Sequence, residues 1–275
     1  MTKNKKSSRV MMYCVLGILF LYFFIPFWWM VITSFKSYTE VYTKPYALYS
    51  KSFNWQNYPI VLQSLPFMTY LLNTVKVSLM VCLGTLITSS MAAYAFARLH
   101  FPGRDKIFFL YLATLMIPRQ TVLIPNFILF RNLGLLDNLW SLILSGIFTA
   151  YGTFLLRQFF LTIPQELEEA AIIDGLGYKD RFLKIILPLA KPALTTLLII
   201  TLLGIWNEYL NALVFIQSDD KRTLTLGLAL LRSDLDIQWN QVMAATMFSI
   251  SPIVIVYLSA QKYFVEGIAL SGLKG

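Results

Sequence analysis

Six apolar runs alternate with polar connections along this chain, at 11–35, 69–97, 107–129, 138–161, 189–215 and 242–262. Each approaches or exceeds the roughly 20 mainly apolar residues that a membrane helix needs. Between them lie 36–68, 98–106, 130–137, 162–188 and 216–241, which carry most of the charge. The pattern predicts an all-α, polytopic membrane protein with six transmembrane helices. It divides the chain into an N-terminal tail (1–10), a first helix (11–35), a loop (36–68), a membrane core (69–262) and a C-terminal tail (263–275). The first run follows the basic stretch TKNKKSSR and shows neither the short apolar core nor the small-residue cleavage site of a removed signal peptide. It is read as a retained helix.

Composition agrees. Of 275 residues, 57% are apolar and 13% charged, against roughly 25% charged in soluble domains. Charge then sets the orientation. The N-terminus, 98–106, 157–191 and the chain from Lys262 onward hold 14 of the 23 Lys and Arg residues, so the positive-inside rule places them and both termini in the cytoplasm of a cell whose membrane the chain spans. Loops 36–68, 130–137 and 216–241 then face outward, with Trp28, Trp29, Trp140 and Trp239 near the outer interface. In the second run Gly84, Thr88 and Ala92, and also Ser89, Ala93 and Ala97, recur at spacing four and predict a close-packing helix face. Pro26, Pro118, Pro125 and Pro252 predict kinks.

Several chemistries are excluded. Cys14 and Cys82 lie in apolar runs, and His100 is the sole histidine, so neither a metal cage nor a histidine-based triad is available. No G-x-x-x-x-G-K-[ST] or H-E-x-x-H occurs. The chain is expected to be no enzyme, to carry no metal or cofactor and to bind no nucleic acid. Glu208 is the one acid expected inside a span, too few for a carrier that runs on an ion gradient. Uphill transport would draw its energy from a partner.

One polar connection is unusual. QELEEAAIIDG at 165–175 predicts a helix with Glu166, Glu168 and Glu169 in its early turns, favoured by the helix dipole, and glycines at its end. Leu167, Ala170, Ala171 and Asp174 share a mostly small face by spacing. A second short helix from about Lys179 puts Phe182, Ile185, Ile186 and Leu189 on an apolar stripe, with Lys179, Arg181 and Lys184 facing elsewhere, and Pro188 turns the chain into the fifth run. The element is either an amphipathic interfacial connector or a docking module that transmits force.

The spacing E-A-A, three residues, G, nine residues, I-x-L-P is met by Glu169-Ala170-Ala171, Gly175, Ile185 and Leu187-Pro188. It resembles the cytoplasmic loop of permease subunits of ATP-binding-cassette importers. AAYAFARLHFPGRD, MIPRQTVLIPNFILFRNLGLLDN, WNEYLNALVF and FVEGIALSGLKG are similar to carbohydrate-type permeases, specifically the six-helix inner-membrane subunit related to those of maltose importers. The resemblance implies the type I importer permease fold and a non-enzymatic role. It implies a second, different permease subunit, two ATPase subunits that use ATP and Mg, and an extracytoplasmic solute-binding protein. It further implies that Glu169, Ala170, Ala171, Asp174, Gly175, Ile185, Leu187 and Pro188 form the ATPase-coupling loop, and that the tail can reach toward the ATPases. The solute is a sugar or oligosaccharide, or another polar solute such as a glycerophosphodiester. A self-sufficient carrier or channel is the reading from a different class, and it leaves the E-A-A spacing unexplained.

Trp206, Asn207, Glu208, Tyr209 and Asn211 crowd the outer half of the fifth run. An aromatic face with amide and carboxylate groups suits a sugar's C–H face and hydroxyls, and interhelical bonding suits the same residues. Arg119 and Gln120 interrupt the third run after Pro118; either the run bends there and exposes them to a cavity, or the span ends near them.

Overall fold

The computed structural model describes residues 3–231 and 237–272, with side chains over 9–231 and 237–259. Along the chain, α1 (Lys3–Ser34) leads through α2 (Tyr38–Thr43) and α3 (Asn57–Ser64) to α4 (Phe67–Arg98). Next come α5 (Arg104–Ala113), α6 (Leu123–Asn132), α7 (Leu139–Gly146) and α8 (Ala150–Phe160). A polar stretch holds α9 (Glu166–Ile173), α10 (Tyr178–Arg181) and α11 (Leu187–Leu189), followed by α12 (Lys191–Trp206) and α13 (Leu210–Phe215). The chain closes with α14 (Leu224–Leu230) and α15 (Trp239–Gly272). The expected tail at 263–272 thus continues a helix, and residues 273–275 lie outside the described residues.

Among the described residues four helical stretches are long and apolar enough to cross a membrane: Arg9–Ser34, Phe67–Arg98, Leu139–Phe160 and Trp239–Ser259. The other two expected spans are broken. Arg104–Met116 and Arg119–Asn132, around the expected 107–129, meet at 93°. Tyr178–Leu189, largely from the polar connection, meets Lys191–Trp206 at 76°, at the start of the expected 189–215. The first break has a local cause. A proline disfavours the helical conformation in the residue before it, and Ile117 ahead of Pro118 is extended (φ −81°, ψ 117°). Pro125 is harmless because it falls in the first turn of α6. The expected continuous run 189–215 also stops early, because α12 ends at Trp206.

Two compact units result. Residues 1–67 and 227–252 form one. Its core is Val61, Ala244 and Ala245, joined by Tyr58 and Leu228. The buried amide of Asn57 donates to Ser34 O (2.7 Å) and Lys36 O (2.9 Å) and accepts from Asn240 Nδ2 (2.9 Å). Lys36 turns inward, its ammonium donating to the carbonyls of Lys44, Pro45 and Ala47. Trp28 and Trp29 donate their indole N–H groups to Leu48 O and Pro45 O; they anchor the following loop, a role the interface belt alone did not predict. Residues 9–28 of α1 are exposed within the chain, whereas Ile32, Thr33 and Ser34 at its end are buried.

Residues 68–226, with 253–275, form the other unit. Here the small face of α4 packs as its spacing predicts. A Cβ at Gly84 would sit 2.5 Å from a methyl of Ile147, and one at Gly152 2.7 Å from Ser89 Oγ. Thr88 donates to Ile147 O (2.6 Å) and Thr85 to Gly146 O (3.2 Å), satisfying carbonyls exposed by the break between α7 and α8. One core gathers Val77, Val81, Phe130, Leu142, Ile143, Ala212 and Phe215. A second, at the opposite end of α4, gathers Ala93, Tyr94, Ala97, Leu156, Phe160, Ile186 and Ala190. That second core is the seat of the polar element.

Candidate functional site

Residues 162–190 form a short helical hairpin against the ends of α4 and α8. Pro164 lies two residues ahead of α9. The C-terminus of α9 is closed by a Schellman motif. Leu176 N donates to Ala171 O (2.9 Å) and Gly175 N to Ile172 O (3.0 Å). Gly175 takes φ +81°, with nothing within 4 Å of where a Cβ would be. The glycine is needed for its backbone, because an L side chain resists this conformation even in open space. Gly177, at φ −72°, carries no such requirement.

α9 divides into two faces. Glu168 and Ala171 turn inward and are buried. Glu169, Ala170 and Asp174 face outward, together with Leu167, Ile172 and, at 86% exposed, Ile173. The face inferred from spacing is therefore split, with Ala171 packed inside the chain and Ala170 open. Sequence reasoning missed Ile173; its signal was an isoleucine pair just ahead of a helix-ending Asp-Gly, on a helix with no membrane to enter.

The second half differs from a simple short helix. After α10, residues Phe182–Ile186 form a π turn in which Leu187 N reaches Phe182 O. Pro188 lacks an N–H and its ring would clash with the carbonyl four residues back in an α-helix; the wider turn removes that conflict. Phe182 and Ile186 do pack inward, with Phe182 on Tyr94 (ring centres 5.1 Å apart). Ile185 and Leu187 are half-buried and Pro188 is exposed. Two expectations are corrected. Leu189 lies 46% exposed, outside the apolar stripe, and Arg181, expected to face away, is buried.

Arg181 is buried because it has a partner. Glu168 Oε1 lies 3.0 Å from Arg98 Nε, at the end of α4, and Glu168 Oε2 lies 3.7 Å from Arg181 Nη1. Tyr94 Oη donates to the same Oε2 (3.2 Å). Arg98 Nη2 also donates to Phe160 O and Ile163 O, both at 2.6 Å. The first is the last carbonyl of α8 and the second lies three residues beyond it, at a helix C-terminus where a cation is favoured. Lys184, by contrast, makes an exposed pair with Asp180 (2.8 Å).

The other sequence candidates fall elsewhere. Trp206 is buried at the end of α12, and Asn207, Glu208 and Tyr209 form the break before α13. Asn207 Nδ2 donates back to Leu203 O (2.9 Å), and Glu208 Oε1 accepts from Asn211 N (3.0 Å). Glu208 thus caps α13 from a helix break instead of lying within a continuous span. Arg119 and Gln120 are exposed in a 3₁₀ turn at the 93° bend, so the run bends there. Among the described residues no group of three or more His, Cys, Asp or Glu is placed to hold a metal.

The chain matches the family model described as binding-protein-dependent transport system inner membrane component over residues 2–269. It is 33% identical over 276 residues to the sn-glycerol-3-phosphate transport system permease protein UgpE of Yersinia pestis, covering 98% of each chain. It is 37% identical over 209 residues to the arabinooligosaccharides transport system permease protein AraQ of Halalkalibacterium halodurans, covering 76% of this chain and 75% of that one. Its fold matches a chain from the crystal structure of a bacterial ABC transporter involved in the import of the acidic polysaccharide alginate. There the TM-score is 0.82 and the identity 27%, covering 96% of this chain and 99% of that one.

Proposed function

Because the chain belongs to the family of binding-protein-dependent transport system inner membrane components, as a non-catalytic permease subunit of an ATP-binding-cassette importer, we propose that it forms half of the path for a sugar or oligosaccharide. A second permease subunit supplies the other half, two ATPase subunits drive it, and a solute-binding protein delivers the solute. The hairpin 162–190 and both termini face the cytoplasm, as the Lys and Arg bias directs. The hairpin is the ATPase-coupling loop: Glu169, Ala170 and Asp174 meet the ATPase, Ala171 and Gly175 hold that face in place, and Ile185, Leu187 and Pro188 pass the chain to α12.

The observation that carries this reading is the outer face of α9. It combines a small residue, acids and an 86%-exposed isoleucine on a rigidly terminated helix. Large apolar side chains grouped with polar ones at an exposed helix call for a partner, and Ala170 leaves room for its backbone to come close. The carbohydrate assignment draws on the similarity to AraQ and to the alginate transporter chain. Trp206, Asn207, Glu208, Tyr209 and Asn211 form the candidate path, since a broken helix at membrane depth frees polar groups toward a cavity.

A second reading has its own support. The similarity to UgpE spans 98% of each chain, and the exposed Arg119 at the bend would suit a phosphate ester. One experiment separates the two. Vesicles holding the complete importer are offered labelled arabinan oligosaccharides or sn-glycerol-3-phosphate, with ATP on the ATPase side. ATP-dependent oligosaccharide uptake that disappears when this chain is omitted is the expected result. Uptake of the phosphate ester alone selects the second reading, and uptake of either without ATPase subunits contradicts both. In the same vesicles, unchanged uptake by Trp206→Ala and Glu208→Gln would make the break at 207–209 a structural feature only.

A further inference from the structure

The coupling hairpin is joined by the chain itself to α8 and α12, but to α4 only by side chains. The most polar of those links is one carboxylate. Glu168 meets Arg98 and Tyr94 of α4 and Arg181 of α10, while Arg98 holds the last carbonyl of α8, Phe160 O, and Ile163 O just beyond it. The Arg98, Glu168 and Arg181 side chains are 5%, 8% and 10% exposed. Both halves of the hairpin and two membrane helices therefore converge on Glu168.

We propose that Glu168 is a positioning residue for energy coupling, the link through which movement of the ATPase-docked hairpin reaches α4. This rests on the coupling-loop reading above and adds to it a residue outside the E-A-A spacing. The chemistry suits transmission better than mere bracing. A buried ion pair is often replaceable by apolar packing without loss of stability, yet opening one is strongly unfavourable. Such a knot contributes little to holding the fold but resists separation of the parts it joins. Its two cations are each given a second site: Arg98 on the Phe160 and Ile163 carbonyls and Arg181 over the Tyr178 ring, 4.5 Å from its centre. The knot can shift as a unit without leaving a bare charge. Ala97 of α4 and Ala190 ahead of α12 are buried in one apolar core at the same end of α4.

Arg157 provides the contrast. It also sits at this end of the unit, donating to Phe96 O (3.1 Å) and lying over Phe108. Its carboxylate partner is Asp105, 70% exposed, at 3.6 Å. It ties α8 to α4 and α5 and does not involve Glu168.

The test uses the complete importer in lipid vesicles and reads how far the solute-binding protein, purified with its native load, stimulates ATP hydrolysis. For Glu168→Gln the ATPase subunits are expected to stay bound while stimulation falls by roughly tenfold, within the usual range of coupling between distant sites. Arg98→Gln should fall similarly, the double variant no further, and Arg157→Gln should keep wild-type stimulation. Full stimulation in Glu168→Gln, additive losses in the double variant, or an equal loss in Arg157→Gln each overturns the proposal. If Glu168→Gln loses its ATPase subunits, Glu168→Asp decides, since it keeps the charge but withdraws it by one methylene; full stimulation there overturns the proposal as well. Failure of the coupling-loop reading itself looks different, because the wild-type chain would then bind ATPase subunits independently of α9.

Discussion

Replacing Gly175 with valine is expected to strip the ATPase subunits from the assembled importer while leaving the chain in the membrane. Gly175 sits at φ +81° and closes α9 through the Schellman bonds to Ala171 and Ile172. A β-branched residue held in that region costs about 1–3 kcal/mol. The strain is conformational, since nothing lies within 4 Å of the position a Cβ would take. The least costly relief is to unwind the last turn of α9, which carries Ala170, Ile173 and Asp174. Docking then bears the cost, and affinity falls by about tenfold for every 1.4 kcal/mol. Asparagine, which tolerates left-handed backbone, should lose less than alanine, and alanine less than valine. Co-purification of ATPase subunits with each variant reads the series. Equal recovery across all three would mean that the turn does not matter for docking.

The second large effect is expected at the other end of α4. Asp137, itself at φ +52°, accepts hydrogen bonds from Gln217 N (2.9 Å), Ser218 N (2.8 Å) and the Ser218 hydroxyl, and pairs with Lys221 (3.0 Å). It knots 133–138 to 216–222, which Tyr70 and Asn73 of α4 also hold, through Asp219 Oδ1 and the Asp220 and Arg222 carbonyls. The Ser218 hydroxyl and backbone N–H, with Gln217 N and Lys221 behind them, hold the Asp137 carboxyl well below the usual carboxylate range against the opposing effect of burial. A carboxyl whose pKa is lower folded than unfolded stabilises fully above its unfolded value, about 3.9, and loses that contribution as pH falls through the folded value. Asp137→Ala is therefore expected to cost about 2–3 kcal/mol at pH 7, the scale of hydrogen bonds to a charged group. The gap from wild type should be constant between pH 7 and 5 and narrow below about 4. Thermal unfolding in detergent across that range checks it; a gap that does not narrow in acid would place the effect in the backbone turn instead of the charge.

Periodicity revealed the apolar spans and the packing face of α4, because both are local. The spacing of Gly84, Thr88 and Ala92 is a property of one helix, and any helix it meets must meet it closely. The Gly175 turn was legible for the same reason. What sequence could not show was long-range partnership. Glu168 and Arg181 read as two charges on polar helices, and only the fold brings Arg98, 70 residues before Glu168, to the other oxygen of the same carboxylate. Ala170 and Ala171 looked alike until the packing of α9 turned one in and one out. The break after Trp206 was hidden because WNEYLNAL is apolar enough to pass for a span, and the Glu208 cap across it is made by geometry. The 93° bend was half legible: Pro118 marked its place but not its angle.

The central claim is that the outer face of α9 meets the ATPase. A photo-crosslinking amino acid placed at Ala170, exposed and next to the motif glutamate, tests it in the assembled importer. Capture of an ATPase subunit from Ala170, and none from the same group at Ser50, in the loop proposed to face outward, is the result this account predicts. Capture from Ser50 but not from Ala170, in complexes shown to contain the ATPase, would contradict it.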